Sequence, residues 1–143
     1  MDSITPCVIV ADDDPDIIVY LKNVLRAFDV ETHFVSDGGA ALAAVRRLRP
    51  DLLLLDVGMP VMNGIDVLRS LKEYRSASTL VTVMLTGSSD PEHVEACAAL
   101  GAVDYILKPF GHVDITRKVK SLLTMNSGIK VGSRIQRQPS GRY

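Results

Sequence analysis

Five polar side chains in this 143-residue chain stand where apolar runs stop: Asp12 and Asp13 after CVIVA, Asp56 after LLLL, Thr86 after VTVML, and Lys108 after DYIL. Three carboxylates gathered within a few ångströms repel one another unless they are protonated or bridged by a cation. An all-oxygen set of this kind suits Mg2+, which keeps part of its water shell and partners with phosphate. Asp56, at the exit of a stiff apolar run, is then the candidate nucleophile. A bound cation would keep it ionised and neutralise an incoming phosphoryl group. Lys108 is suited to hold a phosphate oxygen as a point charge, and Thr86 to donate a hydrogen bond. The histidines His33, His93 and His112 sit on separate elements without metal-type spacing, so a zinc or iron site is not expected.

For those five residues to act together, the runs that carry them must end on one rim. Strand-like and helix-like segments alternate up to about Thr124. Cys7–Ala11 is a short apolar strand; Asp14 then Pro15 reads as an N-cap and first helical position, followed by Ile17, Leu21, Val24, Leu25 and Phe28 at helical spacing. Val30–Val35 is rich in β-branched residues, and Gly38–Gly39 lead into an Ala-rich helix stopped by Pro50. Leu52–Leu55 is apolar on both faces, as a central parallel strand covered by helices requires. Asn63–Gly64 turns into a helix with Ile65, Leu68 and Leu71. Leu80–Leu85 is a fourth strand, Asp90–Pro91 repeats the capping pattern, Gly101 marks a helix stop, and Val103–Leu107 is the fifth strand. Five βα units of this length predict an α/β fold, a single doubly wound parallel sheet. In such sheets ligands bind beyond the carboxyl ends of the strands, where all five polar residues fall.

The bulk properties agree with a folded domain and exclude several classes. The length suffices to bury a core without disulfides or a structural metal, and no apolar run reaches the roughly 18 residues of a membrane span. The N-terminus lacks the features of a secretory signal, and Cys7 and Cys97, in separate apolar runs, read as buried reduced thiols. A cytoplasmic location is the simplest expectation. The net charge is −1, but the segment from Asn126 onward carries Lys130, Arg134, Arg137 and Arg142 and no acid, leaving −5 for residues 1–125. That balance argues against nucleic-acid binding by the body.

Taken in order, VADDDPDI, PDLLLLDVGMPVMNG, VMLTG and DYILKPF make the chain from about Cys7 to Thr124 resemble the response-regulator receiver domains of two-component signalling, of which chemotaxis regulators are stand-alone members. The resemblance implies a flavodoxin-like (βα)5 domain over residues 5–125 with strand order 2-1-3-4-5. It implies that Asp56 accepts a phosphoryl group from a sensor histidine kinase or a histidine phosphotransfer protein. Asp13, Asp56 and the main-chain carbonyl of Gly58 would hold Mg2+ (or Mn2+), with Asp12 acting mostly through water. It further implies that Thr86 and Tyr105 move as switch residues, that Pro109 follows a cis bond, and that the face formed by the fourth helix, fifth strand and fifth helix regulates a downstream protein target. Gly87 departs from the more usual alanine after the threonine, and the small Gly58 and Ser88 suggest easy access of water to an acyl phosphate.

Two other functions compete with this switch. An aspartyl-phosphate phosphatase would need an acid two residues after the nucleophile, where this chain has Gly58, and its motif order differs. A receiver-like interaction module that is never phosphorylated does not need the complete acid set. On these grounds the chain is expected not to be a turnover enzyme, to have neither a membrane nor, most simply, a nucleic-acid partner, and to act alone rather than as a piece of a larger regulator. Residues 126–143 are expected to be a flexible basic extension, with a contact strip for an acidic partner or nucleic acid as the alternative.

Overall fold

The computed structural model describes residues 5–74, 79–87 and 90–126, with the backbone alone for residues 125 and 126. Along it run β1 (Cys7–Ala11), α1 (Pro15–Leu25), β2 (Glu31–Val35), α2 (Gly38–Leu48), β3 (Leu52–Asp56), α3 (Gly64–Lys72), β4 (Val81–Thr86), α4 (Pro91–Ala99), β5 (Asp104–Leu107) and α5 (His112–Asn126). All four strand pairings are parallel, and the sheet order is β2-β1-β3-β4-β5. This is the flavodoxin-like doubly wound arrangement.

The strands are apolar throughout because alternate residues face two different helical layers. Leu52 and Leu54 join Val8, Val10, Val83 and Leu85 under α1 and α5, with Leu21, Leu25, Ile115 and Val119. Leu53 and Leu55 join Ile9, Ala11 and Met84 under α2, α3 and α4, with Val45, Leu68 and Cys97. All four leucines are 0% exposed, so each contributes roughly 1.5–3 kcal/mol of apolar burial. A central strand held this tightly makes a rigid mount for the residue that ends it.

Local chemistry sets the helix starts. The side chains of Asp14, Asn63 and Asp90 accept backbone N–H groups of the first turns of α1, α3 and α4, as their sequence positions predict. Asp37 does the same for α2 through Ala40 N–H at 2.7 Å, so that helix begins at Gly38 itself. Gly101, at φ +112°, ends the turn after α4. Strand bounds shift by a residue from the hydrophobic runs: β4 ends at Thr86 rather than Leu85, and β5 starts at Asp104 because Val103, 59% exposed, gives its N–H to Thr82 O just before the ladder. Ser88 and the basic extension from 127 onward lie outside the described residues.

Candidate functional site

The chain reverses direction across the sheet between β1 and β3, and the crevice beyond their carboxyl ends is where the polar residues meet. Ala11 pairs with Leu55, so the residues that follow, Asp12 and Asp56, come to the same level. One carboxylate oxygen each from Asp12, Asp13 and Asp56 lies within 4.8 Å of the others. Their environments differ: Asp12 is 0% exposed, Asp56 is 6% exposed, and Asp13 faces solvent.

Lys108, entering from the end of β5, reaches both buried acids. Its Nζ donates to Asp56 Oδ1 at 3.0 Å and lies 2.9 Å from Asp12 Oδ2. The sequence points to a metal ion as the group that stabilises the Asp56 charge; among the described residues the lysine ammonium already stands there. One ammonium for two buried carboxylates leaves the cluster short of positive charge. Burial pushes the Asp56 carboxyl above its ordinary range, and the like charge of Asp12 adds to this. The bond from Lys108 and the Gly58 N–H opposes the shift without cancelling it. Burial alone would pull Lys108 down, yet the bonds and charges of Asp12 and Asp56 together hold it above its ordinary value.

The residues present fit a hard divalent cation. Asp12 Oδ1 accepts Asp14 N–H at 3.0 Å, and Oδ2 is buried with only the Lys108 ammonium, 2.9 Å away and shared with Asp56, beside it among the described residues. Two buried carboxylates and a third at their edge, served by one ammonium, have charge left for a cation, and three carboxylates form the oxygen ligand set that Mg2+ prefers. Asp12, Asp13 and Asp56 are the side chains able to hold it. Gly58 takes part through its N–H to the Asp56 carboxylate, and a Cβ added at Gly58 would meet nothing within 4 Å, so this flank is open.

Thr86 ends β4, 4% exposed, one strand over from Asp56. Tyr105 lies half-buried on the opposite side of β5 from Ile106 and packs with the α2–α3–α4 cluster. Between them, against α4, is a cavity of about 190 Å3 lined by Met84, Thr86, His93, Cys97 and Tyr105. The Lys108–Pro109 bond is cis. Asp12, Asp13, Asp56 and Lys108 thus form one cluster, and Tyr105 stands apart behind Thr86.

One position escapes the sequence argument. A Cβ on Gly64 would lie 2.3 Å from the Asp56 carbonyl oxygen, so the start of α3 abuts the strand end that carries the acid. Gly64 N–H also donates to Val57 O at 2.8 Å. Asn63–Gly64 reads from sequence as a helix start, and nothing in that dipeptide reports how close another strand comes. The loop between also holds Val61 at φ +68°, a conformation that a β-branched residue rarely adopts.

Residues 8–120 match the response regulator receiver domain family. The DNA-binding response regulator MtrA of Mycolicibacterium smegmatis is 43% identical over 126 residues, covering 88% of this chain and 54% of that protein. The chain therefore spans about half the length of the curated relatives it matches. Among solved structures, chemotaxis response regulator CheY4 of Vibrio cholerae superposes with a TM-score of 0.78 at 26% identity, over 83% of this chain and 99% of that one. The signal receiver domain of a signal transduction histidine kinase from Syntrophus aciditrophicus gives 0.76 at 33%, over 88% and 93%. The MtrA description runs against the expectation that a nucleic-acid partner is unlikely. That expectation rests on the charge of residues 1–125 and does not reach a protein of twice the length.

Proposed function

Because the chain belongs to the response regulator receiver domain family, we propose that it is a phosphorylation-driven switch in which Asp56 accepts a phosphoryl group from a histidine kinase or histidine phosphotransfer protein. Members of this family are signalling switches rather than turnover enzymes, and receiver domains bind Mg2+ in their acidic pocket. The observation that carries the reading is Asp56 itself: a carboxylate at the end of a central strand, bonded to Lys108 at 3.0 Å and grouped with two further acids.

Asp12, Asp13 and Asp56, with the Gly58 carbonyl, would hold Mg2+, whose charge would offset that of the carboxylates and of the incoming phosphoryl oxygens. Asp56 supplies the attacking oxygen, whose new O–P bond would form as the N–P bond of the donor phosphohistidine breaks and its imidazole leaves; Lys108, already on that carboxyl group, would transfer its bond to a phosphoryl oxygen. Thr86 donates its hydroxyl to another, and Tyr105 turns into the space beside α4 that Thr86 helps to line. Gly58, with open space where a side chain would stand, leaves water access to the acyl phosphate, so the chain would catalyse its own dephosphorylation.

The output is proposed to run through the α4–β5–α5 face to a protein partner. As in the relatives described as DNA-binding, a nucleic acid is the expected final target of the longer protein. The −5 charge over residues 1–125 argues for a nucleic-acid contact outside that span. No described helix is long and apolar enough to cross a membrane, and the switch is proposed to work in the cytoplasm.

The test is incubation with acetyl phosphate and Mg2+, read by intact-mass spectrometry. One phosphoryl group is expected on the wild type and none on Asp56→Asn. Labelling that persists in the variant, or proceeds equally with chelator present, would overturn the proposal.

A further inference from the structure

At the amino ends of β1 and β2, the opposite end of the sheet from Asp56, lies a second group of ligand-type side chains. Parallel register sets Cys7 beside Glu31 and Ile9 beside His33. Residues two apart on a strand share a face, so Glu31, His33 and Val35 point one way, as do Cys7 and Ile9. Val35 and Ile9 both pack in the α2–α3–α4 layer, which makes the two sets face the same side. The Cys7 sulfur, a ring nitrogen of His33 and a carboxylate oxygen of Glu31 all lie within 4.8 Å of one another.

The group is positioned before any ligand arrives. Glu31 Oε2 and His33 Nε2 are 2.6 Å apart, holding ring and carboxylate together. Cys7 N–H donates to Asp51 Oδ2, and Glu31 N–H to Pro6 O, each at 2.8 Å, which fixes the backbone beneath two of the three side chains. Exposure is graded: Cys7 is buried, His33 intermediate and Glu31 exposed, so the cluster is open on its solvent side.

We propose that Cys7, Glu31 and His33 form a Zn2+ site whose fourth position is taken by water. Sulfur, imidazole and carboxylate ligands suit Zn2+ and not Mg2+, so this site and the carboxylate rim would select different metals. Tetrahedral bonds of about 2.0–2.3 Å place ligand atoms roughly 3.3–3.8 Å apart, so binding would open the 2.6 Å Glu31–His33 hydrogen bond while side-chain rotation brings the Cys7 sulfur, within 4.8 Å of both, into range. On binding, the Cys7 thiol releases its proton to solvent and the resulting thiolate donates an electron pair to the metal. The bound ion would pin β2, one of the two edge strands of the sheet, to β1. Histidine spacing alone excludes such a site because it asks for ligands along one element; parallel pairing draws these from two.

The experiment uses the full chain in excess Mg2+, which satisfies the carboxylate rim, with Co2+ as the spectroscopic substitute for Zn2+. One equivalent of Co2+ is expected to produce thiolate-to-cobalt charge transfer together with tetrahedral visible bands, both erased by Zn2+. Cys7→Ser should abolish the charge transfer and Cys97→Ser should preserve it. His33→Ala, a change near the surface that leaves the core intact, should weaken binding by more than about tenfold. Absence of the band in the wild type, its survival in Cys7→Ser, its loss in Cys97→Ser, or unchanged affinity in His33→Ala would each overturn the assignment.

Discussion

Replacing Asp56 by asparagine removes a charge while keeping the shape of the side chain, and without Mg2+ it should stabilise the protein. At an effective dielectric near 20, the Lys108 ammonium 3.0 Å away favours the ionised form by roughly 5.5 kcal/mol. Asp12, with an oxygen within 4.8 Å, opposes it by about 3.5 kcal/mol. Withdrawing the carboxylate from water costs several kcal/mol more, which outweighs the remaining attraction. Asparagine keeps an oxygen facing Lys108 and leaves that ammonium matched to Asp12 alone. The expected gain is about 1–2 kcal/mol at neutral pH, in the direction that the raised Asp56 pKa requires. Because the folded-state pKa is raised, the wild type loses stability relative to the variant as pH climbs from the ordinary carboxylate value through the folded one. The gap should therefore open with pH and close in acid. The chain has no tryptophan, so urea unfolding is best followed by circular dichroism, at several pH values with and without Mg2+. Saturating Mg2+ should narrow the gap by binding the folded wild type. A variant less stable than wild type in Mg2+-free neutral buffer, or a gap indifferent to pH, would refute the electrostatic account.

Lys108→Met should cost about 2–4 kcal/mol by leaving two buried carboxylates unpaired, with much of the loss recovered in Mg2+, measured by the same titrations. The stability that Lys108 provides is complete below its ordinary value of 10.5 and fades as pH rises through its raised folded value, so the variant should lack that alkaline decline. Gly64→Ala, forced against the Asp56 carbonyl, should lower stability by about 2 kcal/mol and slow phosphorylation, whereas Gly58→Ala should stay within about 0.5 kcal/mol of wild type. Val61→Asn should raise the urea midpoint by about 0.5–1 kcal/mol equivalent, since Val61 is 88% exposed and loses only its left-handed strain.

Much of this architecture is written in local signals. Asp14–Pro15 and Asp90–Pro91 announce helix starts because capping is a contact between near neighbours. The LLLL run announces a strand covered on both faces because burial acts on each residue in turn. The polar residues that close the strands mark the rim for the same reason. What the sequence hides is contact between distant segments. The sharing of one ammonium by Asp12 and Asp56 follows from the bend and reach of Lys108. The approach of Gly64 to the Asp56 carbonyl depends on where α3 docks, and the grouping of Cys7 with Glu31 and His33 depends on strand register. The solvated position of Asp13, against the burial of its neighbour Asp12, reflects which side of the β1 exit each faces, a detail that two adjacent aspartates cannot reveal.

Lys108 is attached at both ends: its ammonium to Asp56, and its main-chain N–H to Thr86 O at 2.7 Å. A redistribution of negative charge at the mouth of β3 therefore pulls on a peptide unit that belongs to the seam between β4 and β5. Under the proposed switch, one residue would convert an electrostatic event into tension along that edge ladder, drawing on the threonine at the other end of the tether while the leucine layers beneath stay packed.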